Sequence, residues 1–296
     1  MKLFLLLTIL SLLVQNSYES PVPYNNAFMY GNIYVRVIFV ESIGNAADGL
    51  DWKEQESIED WTAEQQVDIT NRAGAAFKWW EAVTPKAKTK FIVNYSMEYT
   101  KQEPVVNLLD YTWINEIGSK LYPQYSTNWF SSKFEYGTED DRKYYNADNA
   151  FVVFVVNNHK TEKLLSRNAL GLYLDDSIIV ILTDGYSNTR YGFSSALAHE
   201  IGHIFGALDE YPESNPSCTE LGGYLRVENR NAAQCPNSTD SIMKYSITSF
   251  LSYQNSSYTL AQVGYRDEDC DGIIEPLDDD NTNMCTTIYL PLMEKP

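Results

Sequence analysis

Apolar residues along this chain fall into short β-branched runs separated by stretches of helical period. Residues 31–44, GNIYVRVIFVESIG, are rich in valine, isoleucine and aromatics and read as a buried strand. Thr62 and Gln65 form a capping-box signature, after which Ile69, Ala73, Ala76, Trp80 and Val83 recur at spacings of four, three, four and three. That predicts an amphipathic helix, closed by Pro85. KFIVNYSMEY (90–99) alternates as a second strand does, and a helix is expected over 107–121. AFVVFVVN (150–157) and SIIVILTDG (177–185) predict two more strands, followed by a helix with Ser194 or Ser195 as its N-cap. This order predicts an α+β fold, a mixed twisted sheet with helices packed on it and a mostly irregular C-terminal lobe.

The ends and the cysteines refine that picture. Residues 1–17 carry Lys2 and an apolar run from Leu3 to Val14, the layout of a signal peptide too short to span a bilayer. The expected organisation is then 18–206 for the sheet and its helices, 207–265 for a C-terminal subdomain and 266–296 for an acidic tail. Four cysteines in an exported chain predict two disulfides, and neighbouring pairs, Cys218 with Cys235 and Cys270 with Cys285, are preferred. Sequons at Asn94, Asn237 and Asn255 are compatible with secretion. A net charge of -18 argues against nucleic acid or an anionic membrane as a partner.

Candidate chemistry concentrates in AHEIGHIFGALDEY (198–211). Two of the three histidines, His199 and His203, lie here with Glu200 between them. On a helix they are about 40° apart and share a face, while Leu197, Ile201, Ile204 and Leu208 form an apolar stripe on the other side. Two neutral imidazoles one turn apart suit zinc, and the intervening carboxylate can take a proton from water. Gly206 can end the helix in a left-handed conformation, and the returning chain would bring Asp209 to the same ion as third ligand. His159 and Glu210 are the competing third ligands.

HEIGHIFGALD resembles the metzincin clan of zinc endopeptidases, in the snapalysin-like form where aspartate replaces the third histidine. The resemblance runs from His199 to Ser246 and includes SIMKYS (241–246), which is similar to the clan's methionine turn, with Met243 as its methionine. It implies a sheet-and-helix half above the metal, peptide hydrolysis with Glu200 as general base, and a role for Tyr245 at the zinc or the oxyanion. It also implies a protein or peptide substrate for an extracellular enzyme, expected to be monomeric. The chain departs from the clan in lacking the commoner histidine ligand, and no cysteine precedes Cys218 to act as a cysteine switch.

DEDCDGIIEPLD (267–278) has the oxygen spacing of a calcium loop. Asp267, Asp269 and Asp271 take positions one, three and five, Ile273 offers a carbonyl at seven, and Glu275 and Asp278 take nine and twelve. Pro276 discourages a regular exiting helix, and the expected role of calcium is to tie down the tail. Two alternatives stand beside the zinc endopeptidase. One is a zinc peptidase outside the clan with a remote third ligand. The other is a catalytically inactive, calcium-binding adhesion or recognition module on a peptidase scaffold, against which an intact Glu200 argues.

Overall fold

The β-branched runs become strands because parallel strands buried on both faces need near-continuous apolar sequence. A computed structural model of the chain describes residues 26–43, 60–101, 112–125, 130–157, 171–175, 177–183 and 192–279. Strands β1 (Asn32–Ser42), β2 (Lys90–Thr100), β3 (Asn149–Val156), β4 (Gly171–Asp175) and β5 (Ile178–Leu182) form one sheet in the order β2-β1-β3-β5-β4. The first four in that order run parallel, and β4 pairs antiparallel with β5. The mixed sheet expected from the sequence is present.

Two cores follow from the strand period of two. Ile33, Val35, Val37 and Phe39 of β1 face one core with Phe151, Val153 and Val155 of β3, against helices α1 (Ala63–Val83) and α4 (Gly192–Ile204). Ile38 and Val40, with Val152, Phe154 and Val156, face the other core, against α2 (Thr112–Leu121) and α3 (Phe130–Tyr144). Successive crossovers run in opposite directions along the sheet, so right-handed connections place α1 and the α2–α3 pair on opposite faces. The Thr62 capping box is formed in both directions, and Trp80 Nε1 of α1 donates to the Ala198 carbonyl of α4 at 2.8 Å.

Three expectations are corrected. Helix α3 and strand β4 were not expected from the apolar pattern. Helix α4 begins at Gly192, two residues before the expected cap. Its first-turn hydroxyls donate to carbonyls instead, Ser194 to Arg72 at 2.9 Å and Ser195 to Gly192 at 3.1 Å. Nor is α4 amphipathic in its burial: of its residues all but His203 are buried, because the C-terminal lobe covers the face opposite the sheet. Leu208, placed on its stripe, lies beyond its end.

That lobe contains two short helices, α5 (Ile247–Ser252) and α6 (Ser257–Gln262), and a ladder of two residues on each strand. Cys218 and Cys235 are bonded as expected. The signal segment 1–17, His159, and Cys285 with its expected bond to Cys270 lie outside the described residues. Among the described residues no helix is long and apolar enough to cross a membrane.

Candidate metal centre

Helix α4 stops where glycine lets it stop. Gly206 sits at φ +83°, its N–H donates to His203 O at 2.9 Å, and the Ala207 N–H donates to Gly202 O at 3.0 Å. This pair of bonds is the Schellman closure. A Cβ on Gly206 would also lie 2.6 Å from Gly223 Cα, so the position requires glycine for space as well as for its dihedral. The chain then doubles back and carries Asp209 to the histidine face.

Three donor atoms meet there in a triangle. His199 Nε2 and His203 Nε2 are 3.1 Å apart, and Asp209 Oδ1 is 3.1 Å from each. A tetrahedral zinc with ligands at about 2.0–2.1 Å spaces its donors by about 3.3 Å, close to these separations. Each imidazole is oriented by its other nitrogen: His199 Nδ1 lies 3.0 Å from Ile242 O, and His203 Nδ1 lies 2.7 Å from Ala207 O. With Nδ1 protonated toward those carbonyls, both Nε2 lone pairs face Asp209 Oδ1, a buried oxygen with no hydrogen-bond donor. Converging acceptors of this kind repel one another unless positive charge sits among them.

The titration behaviour points the same way. Burial works against ionisation of Asp209, yet the adjoining His199 and His203 imidazoles hold its carboxyl well below the usual carboxylate range. Burial likewise works against the His203 cation, but the adjoining Asp209 carboxylate and the Glu200 charge raise its imidazole above the ordinary value.

The other active-site residues expected from the sequence are gathered around this triangle. Glu200 is 2% exposed, and its Oε1 lies 4.0 Å from His199 Nε2, one step outside the triangle. His199, Glu200 and His203 form a cluster able to hold a metal ion. Tyr245, in a left-handed conformation at φ +55°, donates its hydroxyl to Glu200 Oε1 at 3.2 Å and stacks its ring on His199 at 3.7 Å between centroids. Met243 is buried under α4, where a Cβ on Gly202 would come within 2.7 Å of its sulfur. A cavity of about 170 Å³, lined by Leu208, Asp209, Ser214, Pro216 and Glu220, opens beside Asp209.

The Glu210 carboxylate does not join the triangle. It is fully buried, and both its oxygens are occupied by Asn231, Ser241 and Thr259. Sequence reasoning also missed Tyr211, whose ring packs 5.1 Å from that of Tyr245 and whose hydroxyl is pushed up to about 12 by burial and the Asp209 charge. The adjacent carboxylates and tyrosine of LDEY were the signal for it, although only Asp209 was singled out there as the ligand.

In the acidic loop, ligand atoms of Asp267, Asp269 and Asp271 come within 4.8 Å of one another. Gly272 takes φ +97°, and its N–H donates to Asp267 Oδ2 at 3.2 Å. Glu275 and Asp278 are not part of that cluster, but burial and then the charges of Asp278, Asp269 and Asp267 raise the Glu275 carboxyl. Ile273 has its N–H bound to Asp271 Oδ1 at 2.6 Å. A 3-10 turn at Glu275–Leu277 follows the loop, as Pro276 suggested. The sequence did not anticipate Lys86, which pairs with Asp267 at 2.5 Å and lowers its pKa. Neither a protein-family model nor a curated protein matches the chain, so the reading of this site rests on its own residues.

Proposed function

We propose that the protein is a secreted zinc-dependent endopeptidase of metzincin type, with His199, His203 and Asp209 as metal ligands and Glu200 as general base. The observation that carries this reading is the 3.1 Å triangle of two Nε2 atoms and Asp209 Oδ1, with the Glu200 carboxylate beside it. The methionine packed beneath α4 and the tyrosine two residues later support the metzincin resemblance.

When bound, zinc supplies Lewis acidity to a peptide carbonyl and to water. The chain's residues do the rest. Glu200 accepts a proton from the attacking water and returns it to the leaving amine, a transfer favoured by its burial and its fixed orientation. The Tyr245 hydroxyl holds Glu200 in place and is the donor proposed for the oxyanion. The carbonyls of Ile242 and Ala207 fix the tautomers of the two ligating imidazoles. In the acidic tail we propose a structural calcium on Asp267, Asp269 and Asp271, completed by the Ile273 carbonyl, Glu275 and Asp278.

The test is digestion of casein by purified protein, with metal content measured on the same sample. Expected are about one zinc per chain, proteolysis abolished by a zinc chelator, and a Glu200→Ala variant that keeps its metal and loses activity. Protein without a transition metal, or full activity in Glu200→Ala, would overturn the reading.

A further inference from the structure

Glu210 is a fully buried carboxylate adjoining the third ligand. Its Oε2 accepts from Asn231 Nδ2 at 2.6 Å and from the Ser241 hydroxyl, and its Oε1 accepts from the Thr259 hydroxyl at 2.7 Å. Its backbone is held as well: the N–H donates to Met243 O at 3.0 Å, and the carbonyl accepts from Ala233 N–H at 2.8 Å. The donors come from three separate pieces of the lobe. Asn231 lies in the disulfide-closed stretch and is itself fixed by the Thr239 N–H at 2.8 Å. Ser241 precedes the turn at Ile242–Lys244, and Thr259 lies on α6. The Asp209 backbone carbonyl is held as well, accepting from Asn229 Nδ2 of the disulfide-closed stretch at 2.9 Å.

From this geometry we infer that Glu210 is the positioning residue for the third metal ligand, clamping the segment that carries Asp209 against the methionine-containing turn, α6 and the disulfide-closed stretch. The inference rests on the metal-centre reading of the triangle and extends it. A carboxylate suits the role because every partner donates and a carboxylate accepts at all its sites. A glutamine presents an N–H to one of those donors, and an apolar residue removes the acceptor that all three share. With Asp209 Oδ1 only 3.1 Å from each imidazole nitrogen, a small rotation of this segment separates the carboxylate from the imidazoles.

The test compares wild type, Glu210→Gln and Thr259→Val, each with Asp209 present and in an Asp209→Ala background. Zinc affinity is read by competition with a chromophoric chelator, ligand geometry by the visible absorption of the cobalt(II) form, and folding by melting of the metal-free protein. Thr259→Val removes one clamp donor and leaves Glu210 itself in place, which keeps the test open if Glu210→Gln folds poorly. With Asp209 present, both variants lose zinc affinity by about 10–100-fold and shift the cobalt band. In the Asp209→Ala background the further loss stays under about twofold, because the residue acted upon is gone. Unchanged affinity and spectrum, or an equal loss in both backgrounds, overturns the inference. Wild-type protein that takes up no zinc overturns the metal-centre reading itself, and no variant is needed to see it.

Discussion

Replacing Gly206 by alanine tests whether the end of α4 places the third ligand. Two costs add. A residue with a Cβ held at φ +83° costs about 1–2 kcal/mol relative to glycine. The new methyl would also lie 2.6 Å from Gly223 Cα and 3.0 Å from Gly223 N, and overpacking of this kind costs about 1–3 kcal/mol. Gly223 cannot yield, because a Cβ built on it would already be 1.7 Å from Gln262 O, which shows how closely those backbones abut. The sum is about 2–5 kcal/mol. Either the whole fold absorbs it, lowering the melting temperature of the metal-free protein, or the turn opens and Asp209 leaves the triangle. At about 1.4 kcal/mol per tenfold, the second route weakens zinc by at least about 30-fold, with Asp209→Ala as its ceiling. Calorimetry of the metal-free protein and a zinc competition titration separate the two routes. A variant within about 0.5 kcal/mol of wild-type stability and twofold of its zinc affinity would refute the reasoning.

Tyr245→Phe removes the hydroxyl held by Glu200 and leaves the ring stacked on His199, so kcat should fall by about 10–100-fold with zinc content unchanged; equal activity would remove the hydroxyl from the mechanism. Zinc affinity should fall on acidification, because the metal must displace the proton that Asp209 and Glu200 hold on His203 above its ordinary pKa of 6.5. The sign is fixed by that raised value: below it each displaced proton costs up to about tenfold per pH unit, and a titration flat from about pH 5.5 to 7.5 would contradict it. Asp141→Ala leaves the Arg36 guanidinium, 2.7 Å from Asp141 Oδ1, without its carboxylate and strips Tyr122 of its acceptor at 2.7 Å. Partial exposure puts the cost near the lower end, about 3 kcal/mol by denaturant unfolding, with zinc affinity unaffected because the pair lies on the α2–α3 face of the sheet.

Strands β1, β3 and β5 were legible because strands covered on both faces leave no polar alternation to misread, as β3 shows with eight buried residues in a row, and the half-exposed β2 was legible by its alternation. The ligand helix was legible because positions four apart on a helix face the same way whatever surrounds them, and because few residues other than glycine turn a chain back so soon. Helix α3 was not legible. Its inner stripe is Phe134, Thr138 and Asp141, which has the correct period but is largely polar. Thr138 satisfies itself by donating to Phe134 O at 2.8 Å, and Asp141 becomes a core residue only through Arg36, 105 positions earlier. The covering of α4 on its second face depends on the turn around Met243, equally invisible from the helix itself. The helix-ending glycine pointed to Asp209 over Glu210, but what holds Glu210 away from the histidines was invisible for the same reason. Two adjacent carboxylates are chemically alike, and the distinction is made by donors 21, 31 and 49 residues downstream.

The same distinction explains why an aspartate suits the third position. His199 and Glu200 are 0% and 2% exposed, so the site must balance its charge largely from within. A divalent ion, the Asp209 carboxylate and the Glu200 carboxylate sum to zero, whereas a third imidazole in place of Asp209 leaves one uncompensated positive charge. Neutrality favours holding the ion in a buried site, but the added negative charge also weakens the ion's ability to acidify whatever it polarises. On the proposed endopeptidase reading, more of the work then falls to proton transfer, and the proton acceptor must be well placed. Glu200 meets that demand: the helix that presents both imidazoles also fixes its backbone, and the Tyr245 hydroxyl donates to its carboxylate.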